Sequence, residues 1–114
     1  MENDAPKREA RFQGKPDIAK MAEEIRRLAS NSENVFWTKH ARERMIERGI
    51  PVMTAHKVLR EGQVYGEIMP GQNENEWKAK MVRNAKGNRD VGVVCVVKRE
   101  DRLVVLTVEW EDLK

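Results

Sequence analysis

The chain has 114 residues, of which 39% are hydrophobic and 36% are charged, a composition that allows one domain with a modest core. It contains no run of about 20 apolar residues such as a membrane-spanning helix requires. Its first residues also lack the apolar stretch of a signal peptide. A cytoplasmic protein with no membrane partner is therefore expected. The net charge of +3 comes from 22 Lys and Arg against 19 Asp and Glu, a mild excess that permits a nucleic-acid partner without indicating one.

The cysteine and histidine content argues against a disulfide or a metal centre. Cys95 is the only cysteine, so no disulfide can form within the chain, and its place in the apolar run 93–97 predicts a small core residue. The two histidines, His40 and His56, are far from it in sequence, which disfavours a structural zinc site. We expect the protein to use no metal and no cofactor.

The N-terminal region predicts a tail followed by a helix. Residues 1–15 are polar apart from Phe12 and predict a flexible tail, which leaves residues 16–114 as one domain. Pro16 and Asp17 are typical of a helix start, and apolar residues then repeat at i, i+3, i+4 and i+7. That spacing predicts a helix over residues 16–29, ended by the polar segment 30–34. Its inward residues would be Ile18, Met21, Ala22, Ile25, Leu28 and Ala29.

Two short helices are predicted next, after an extended apolar segment at residues 35–37. Thr38 is a good N-cap for the first helix, and Gly49 is a good residue to end it. Pro51 prevents continuation and suits the first turn of a second helix over residues 52–60. The second helix would bury Val52, Ala55 and Leu59. An angled pair of helices is therefore expected.

After residue 62 the periodicity changes from helical to alternating, which indicates strands. Segments 63–69, 76–84, 90–99 and 102–110 are expected to form them, with a tight hairpin turn at Glu100 and Asp101. Segment 90–99 is apolar on both parities, which is typical of a central strand. Helices followed by an antiparallel meander predict an α+β domain, with two or three N-terminal helices packed on a twisted antiparallel sheet of about four strands.

Strict alternation also assigns the side chains of these strands to faces. One face of segment 76–84 would carry Trp77, Ala79, Met81 and Arg83. One face of segment 102–110 would carry Leu103, Val105, Thr107 and Glu109. Its other face would carry Val104, Leu106, Val108 and Trp110.

The first of the two short helices carries a line of basic side chains. At about 100° per residue, His40, Arg44 and Arg48 fall on one narrow arc. Ala41 and Met45 lie beside that arc on the side that a core would take. Long side chains at the margin of a buried stripe can rest their stems on apolar surface and present their charged ends to a groove. The pattern predicts a site for a ligand that bears phosphate.

A family resemblance rests on the run Thr38-x-His40-Ala41-x-x-Arg44-Met45-x-x-Arg48-Gly49-Ile50, followed by Val58-Leu59-x-x-Gly62 and by three strands. With these residues the chain resembles a bacterial and phage family of small domains of unknown function. That family is grouped with RelE-, ParE- and BrnT-like toxins in the barnase–EndoU–colicin–RelE class of ribonuclease folds. The resemblance covers roughly residues 36–110 and leaves the helix at 16–29 unmatched. It implies two helices packed on a twisted antiparallel sheet and a toxin-like activity on RNA.

A ribonuclease that works without a metal must remove a proton from a ribose 2′-OH, stabilise a pentacoordinate phosphorane and protonate the leaving 5′ oxygen. Histidine can act as the base or the acid, and arginine matches the oxygens of a phosphoryl group. His40 is therefore the candidate general acid or base. The candidates to bind the scissile phosphate are Arg44, Arg48 and Arg83. The weaker candidates for binding substrate or orienting the histidine are Lys80, Thr107 and Glu109. Arg83 and Thr107 would lie on the sheet face that forms the opposite wall of the site.

Each of these residues also has a purely structural interpretation. His40 could pack in the first turn of its helix, where the helix dipole disfavours a charged imidazole. Arg44 and Arg48 could form ion pairs of the kind that contribute little to stability. Their carboxylate partners would be Glu43, Glu47 and Glu109. Arg83 could be solvated at a strand end, and His56, next to core positions, is expected to be structural.

Two functions from different classes follow from the sequence. The first is a toxin-like, metal-independent ribonuclease or an RNase-fold RNA-binding protein, with RNA and a cognate antitoxin as partners. The second is a non-catalytic interaction protein, from a phage or mobile element, that binds a protein or a nucleic acid. A structural accessory domain is a third alternative. The unmatched helix at 16–29 favours the second, because an added amphipathic helix can cover the catalytic face or form a dimer surface. An open groove beside His40 favours the first function, whereas a groove filled by Ile18, Met21 and Ile25 favours the second.

Overall fold

The computed structural model describes Phe12 and residues 14–111. These residues form three α-helices and five β-strands. In chain order they are α1 (Ile18–Ala29), β1 (Val35–Trp37), α2 (Lys39–Arg48), α3 (Val52–Glu61), β2 (Gln63–Pro70), β3 (Trp77–Asn84), β4 (Asp90–Lys98) and β5 (Arg102–Trp110). The strands form one sheet in the order β1-β5-β4-β3-β2. Strand β1 runs parallel to β5, and all other neighbours are antiparallel. The predicted α+β class is confirmed, with a fifth strand because residues 35–37 pair with β5.

Helix α1 belongs to the core of the domain. Asp17 is its N-cap, and the carboxylate accepts a hydrogen bond from the Lys20 amide (2.7 Å). Met21 and Ile25 are fully buried, and the helix packs mainly against α3 and β2 rather than beside His40. Phe12, which belongs to the predicted tail over residues 1–15, is also buried in this core. Residues 1–11 and 13 lie outside the described part of the chain.

Thr38 both starts α2 and attaches it to the sheet. Its hydroxyl oxygen accepts a hydrogen bond from the Ala41 amide (3.1 Å) and donates one to the Leu106 carbonyl (3.4 Å). Its amide donates to the Val105 carbonyl (3.2 Å). Gly49 ends the helix at a φ of +66°, a left-handed conformation that glycine adopts without strain. Both predicted boundaries of this helix are confirmed.

Helix α3 follows after Pro51 and buries Ala55 and Leu59 as predicted. Val52, predicted to point inward, is 48% exposed, because it lies in the first turn of α3 at the rim of a surface groove. No helix in the described part of the chain is both long and apolar enough to cross a membrane.

The helices pack on one face of the sheet, which we call the helix face. The register places a buried set of residues there: Ala79, Met81, Val91, Val93, Cys95, Val97, Leu103, Val105 and Val108. Burial raises the pKa of the Cys95 thiol to about 12, which fits its predicted role as a core hydrophobe. The opposite face, which we call the open face, is partly exposed, and no helix of residues 14–111 covers it.

Strand β5 contains a bulge that the sequence did not predict. Its register with β4 shifts by one residue between Val105 and Thr107, which leaves Leu106 without a partner. Side chains alternate between faces with a period of two, so one extra residue reverses the assignment of every position beyond it.

The face assignment predicted for residues 102–110 is therefore wrong beyond Leu106. Val108 and Trp110 face the helices, where they align with Val93 and Val91 of β4. Thr107 and Glu109 face the open side. Arg83 is on the helix face, so it does not share a wall with Thr107 as predicted.

Replacing Thr38 with alanine should lower the free energy of unfolding by about 1 kcal/mol, because it removes the N-cap of α2 and the hydroxyl bond to the bulge. Urea unfolding followed by circular dichroism measures the difference. The control is Ser32→Ala, since Ser32 is exposed and caps no helix. Equal stability of Thr38→Ala and the control would contradict the role given to Thr38.

Candidate functional site

The basic line on α2 forms as predicted, but its members have different surroundings. The His40 side chain is exposed and makes no hydrogen bond to another described residue. Arg44 forms an ion pair with Glu47, and Arg48 Nη1 donates a hydrogen bond to the Val108 carbonyl (2.9 Å). Eight residues of α-helix rise about 12 Å, so one phosphate cannot contact both His40 and Arg48. The line suits a series of phosphates better than a single scissile one.

Arg83 is not part of this line. Its guanidinium forms an ion pair with Glu61 at the end of α3 (3.0 Å) and donates to the Asn84 carbonyl (3.0 Å). It lies on β3, which β4 separates from β5, the strand against which α2 packs. The structure therefore does not unite His40 and Arg83 around one phosphate.

A second polar centre lies on the open face, where β3, β4 and β5 adjoin. Lys80 Nζ is 3.3 Å from Glu109 Oε2 and 2.9 Å from Glu111 Oε2. Thr107 is in the same row of the sheet, because both Lys80 and Thr107 align with Val94. The three residues predicted to bind substrate, Lys80, Thr107 and Glu109, thus share this face.

Gly92 allows the Glu111 side chain to reach the lysine. It lies on β4 beside Glu109 of β5. A Cβ atom at position 92 would lie 2.6 Å from Glu111 Oε2 and 2.8 Å from its Cγ. The Glu111 side chain therefore crosses β4 through the space that a side chain at position 92 would occupy.

The two carboxyl groups have opposite pKa shifts. Burial raises the pKa of Glu111, and its hydrogen bond with Glu109 raises it further. For Glu109 the effect of burial is outweighed by hydrogen bonds with Glu111 and Lys80 and by the charges of Lys80 and Arg48, so the pKa is lowered. The two groups titrate as a pair. One member ionises readily while the other retains its proton to higher pH, which is the arrangement of a base beside an acid.

Two hollows adjoin this centre on the open face. The hollow beside Lys80 has a volume of about 300 Å³ and is lined in part by Tyr65. The next hollow, of about 400 Å³, has Val96 and Leu106 in its lining, and Lys78 lines both hollows. Lys80 Nζ lies 5.5 Å from the centroid of the Tyr65 ring, within cation–π range. The face therefore offers apolar and aromatic surface next to cations.

Arg48 connects the line on α2 with the open face. Strand β1 pairs only with residues 103–105 of β5, so the following residues of β5 form a sheet edge. Arg48 reaches that edge at the Val108 carbonyl. Its charge also contributes to the lowered pKa of Glu109. The basic line thus ends beside the polar centre of Lys80, Glu109 and Glu111, which we call the carboxylate centre.

His56 and Trp110 form contacts that hold elements of the fold together. His56 Nε2 lies 2.7 Å from the Ala29 carbonyl and ties α3 to α1. Trp110 Nε1 donates to the Arg48 carbonyl (2.9 Å), and the guanidinium of Arg89 lies 3.8 Å from the centroid of the Trp110 ring. Within residues 14–111, no three His, Cys, Asp or Glu side chains converge as possible metal ligands.

Glu111 and Tyr65 were not among the site residues predicted from the sequence. Glu111 follows the last residue of β5, and alternation counted from Glu109 would have placed it on the same face. Tyr65 aligns with Lys80 across β2 and β3, which strand alternation without a known register could not show.

The described chain is an α+β domain in which helices cover one face of a mixed five-stranded sheet and the open face holds the polar centre. A family model described as Domain of unknown function (DUF4258) matches residues 37–110, more than half of the chain, and the protein belongs to that family. The predicted membership of a family of domains of unknown function is confirmed, and α1 lies outside the match. No curated protein and no solved structure matches the chain.

Replacing Gly92 with alanine should displace the Glu111 side chain from Lys80 without unfolding the protein, since the Glu111 side chain is free to move towards solvent. Exposure to water should then lower the pKa of Glu111 towards its ordinary value. NMR titration of the side-chain carboxyl carbons measures this change. Val94→Ala, on the same strand and face, is the control and should leave the pKa raised. An unchanged Glu111 pKa in Gly92→Ala would contradict the assigned path of the side chain.

Proposed function

We propose that the protein binds single-stranded RNA across the open face and cleaves it without a metal ion, as a toxin-like ribonuclease. The observation that carries this proposal is the position of Lys80 between Glu109 and Glu111, on a face that no described helix covers. The His-Ala-x-x-Arg-Met-x-x-Arg run resembles a family of domains of unknown function that is grouped with ribonuclease-fold toxins, and this resemblance supports the same class of function.

Exposed aromatic residues on the open face supply contacts for unpaired bases. Tyr65 is 61% exposed beside the first hollow, and Phe36 is 54% exposed on β1. Phe36 aligns with Val104, which lines the second hollow. Single-stranded RNA is commonly bound by stacking its bases on aromatic side chains of an open sheet. Lys78, between the two hollows, is placed to contact a phosphate.

The basic line on α2 supplies a path for the RNA backbone. His40, Arg44 and Arg48 follow one another at one-turn intervals towards the edge of β5. Arg48 stands at that edge close to Glu109. If the phosphates of an RNA strand bind along this line, the ribose that follows the phosphate at Arg48 would lie at the carboxylate centre. In this arrangement His40 contacts substrate but does not transfer the proton.

The carboxylate pair has the groups that transesterification requires. Glu109, with its lowered pKa, takes the proton from the 2′-OH, and the 2′ oxygen then attacks phosphorus. The ammonium group of Lys80 neutralises charge that grows on the phosphoryl oxygens. The bond from phosphorus to the 5′ oxygen breaks, and Glu111, with its raised pKa, gives that oxygen a proton. The products are a 2′,3′-cyclic phosphate and a 5′-OH.

A second candidate function, a non-catalytic interaction protein, is favoured by a separate observation. Ile46 of α2 and Met53 of α3 are large apolar side chains that remain exposed. They lie away from the open face, so this function is compatible with RNA binding and requires its own test.

The Glu109→Gln variant should lose cleavage of single-stranded RNA by about 100-fold or more, because it removes the general base. It should still bind the same RNA carrying 2′-O-methyl groups, because Lys80 and Tyr65 remain. Gel analysis of labelled oligonucleotides measures cleavage, and fluorescence anisotropy measures binding. Glu74→Gln, an exposed loop position, is the matched control.

Substitutions in the basic line on α2 distinguish catalysis by the carboxylate pair from catalysis by His40. Arg48→Ala should weaken binding and reduce the dependence of log K on log salt by about one unit. His40→Ala should retain cleavage. Loss of cleavage in His40→Ala, with activity retained in Glu109→Gln, would move the catalytic centre to α2. Absence of both binding and cleavage in the wild-type protein would overturn the proposal.

The rate of cleavage should depend on pH along a bell-shaped curve. The rate rises with pH as Glu109 ionises, through its lowered pKa, and falls as Glu111 loses its proton, through its raised pKa. Single-turnover rates measured across pH test this dependence. Glu111→Gln should remove the fall at higher pH, and a wild-type rate that increases steadily to alkaline pH would contradict the assigned roles.

A further inference from the structure

The turn between α2 and α3 forms an apolar groove that the RNA site does not use. Its volume is about 640 Å³, and its apolar lining includes Trp37, Met45, Ile46, Ile50, Pro51 and Val52. Trp37 connects the two helices, because its ring also packs 6.2 Å from the ring of His56 on α3. The left-handed Gly49 and the following Pro51 fix the angle between the helices, so the groove is part of the fold.

Two large apolar side chains of α2 and α3 are exposed to water, and one of them, Ile46, lines the groove. Ile46 is 81% exposed, and Met53, next to Val52 on α3, is 80% exposed. Burying such a side chain against a partner would be favourable, because it removes apolar surface from water. A contiguous exposed apolar patch on a small domain is typical of an interaction site. The described part of the chain supplies no segment that covers it.

The charges around the groove indicate what kind of partner fits. Lys39 and Arg42 lie on the same side of α2 as Ile46, and Lys57 lies one turn beyond Met53 on α3. Glu43 is the acidic residue on that side of α2. A basic rim of this kind complements acidic residues and opposes a second copy of the same surface.

We propose that the groove binds an amphipathic helix of a partner protein, with an apolar face flanked by Asp and Glu. A helix fits because apolar anchors at i, i+3, i+4 and i+7 match a groove formed between two helices. Ile46 and Met53 contact those anchors, while Lys39, Arg42 and Lys57 pair with the acidic flanks. The groove does not overlap the proposed path of the RNA along His40, Arg44 and Arg48. Ile46 and Arg42 lie on one flank of the buried stripe of α2, and the basic line lies on the other.

The test uses two synthetic helical peptides of about 18 residues, or five turns, with leucines at helical spacing. One has glutamates on the flanks and the other has lysines. Isothermal titration of the full chain should detect binding of the acidic peptide, with at least about tenfold weaker binding of the basic one. Equal affinity for both peptides, or binding of neither, overturns the proposal.

Variants of the protein locate the peptide. The substitutions Ile46→Gln and Met53→Gln should each lower the affinity of the protein for the acidic peptide by about tenfold or more. Both positions are exposed, so thermal unfolding should show that the variants remain folded. Met69→Gln, an exposed apolar position on the open face, is the control and should bind as the wild type does. Unchanged affinity in Ile46→Gln and Met53→Gln overturns the assignment.

Analytical ultracentrifugation of the free protein tests whether a second copy of the chain occupies the groove instead. We expect a monomer, because the rim charges of two copies repel each other. A dimer that Ile46→Gln converts to a monomer would show that a second copy fills the groove, and it would overturn the proposal of an acidic partner helix. RNA binding at the open face should be unaffected by Ile46→Gln, so this test is independent of the proposed ribonuclease function.

Discussion

The extra residue Leu106 in β5 determines which polar side chains gather on the open face. Without the register shift beside it, Glu109 would point into the apolar layer under α2, where an unpaired carboxylate costs several kcal/mol. With the shift, Glu109 and Glu111 reach Lys80, while Val108 and Trp110 turn towards the helices. Thr38 bonds to the Leu106 carbonyl, so the start of α2 and the bulge hold each other in place. Core and candidate site depend on the same local irregularity.

Helix α2 separates two surfaces of different chemistry. Ala41 and Met45 form its buried stripe, with the basic line on one flank and the apolar groove on the other. The basic flank leads to the carboxylate centre through Arg48. The two proposed ligands, RNA and an acidic helix, can therefore bind the same short helix without competing for a surface. Helix α2 would organise both proposed functions, although the proposed proton transfers take place on the sheet behind it.

Features fixed by local chemistry were predictable from the sequence. The N-cap at Thr38 and the left-handed end at Gly49 follow from each residue's own conformational preference. The turn at Glu100 and Asp101 was predictable instead from its place between two alternating segments, since both residues adopt a positive φ that only a tight hairpin turn requires. The bulge at Leu106 was not predictable, because it depends on the pairing of β5 with β4. The alternation of apolar and polar residues does not reveal one extra residue in a strand. The centre itself was only half predicted: Lys80, Thr107 and Glu109 were candidates, but their meeting with Tyr65 and Glu111 depends on register across four strands.

The central claim, that RNA binds the open face, is tested most directly by NMR of the uniformly labelled protein titrated with a single-stranded RNA carrying 2′-O-methyl groups. We expect chemical-shift changes at Tyr65, Lys78, Lys80 and Glu109, continuing along Arg48 to His40. Signals from Ile46 and Met53 should not move. Changes confined to α2 and α3, or none at concentrations that saturate other single-strand binders, would contradict it.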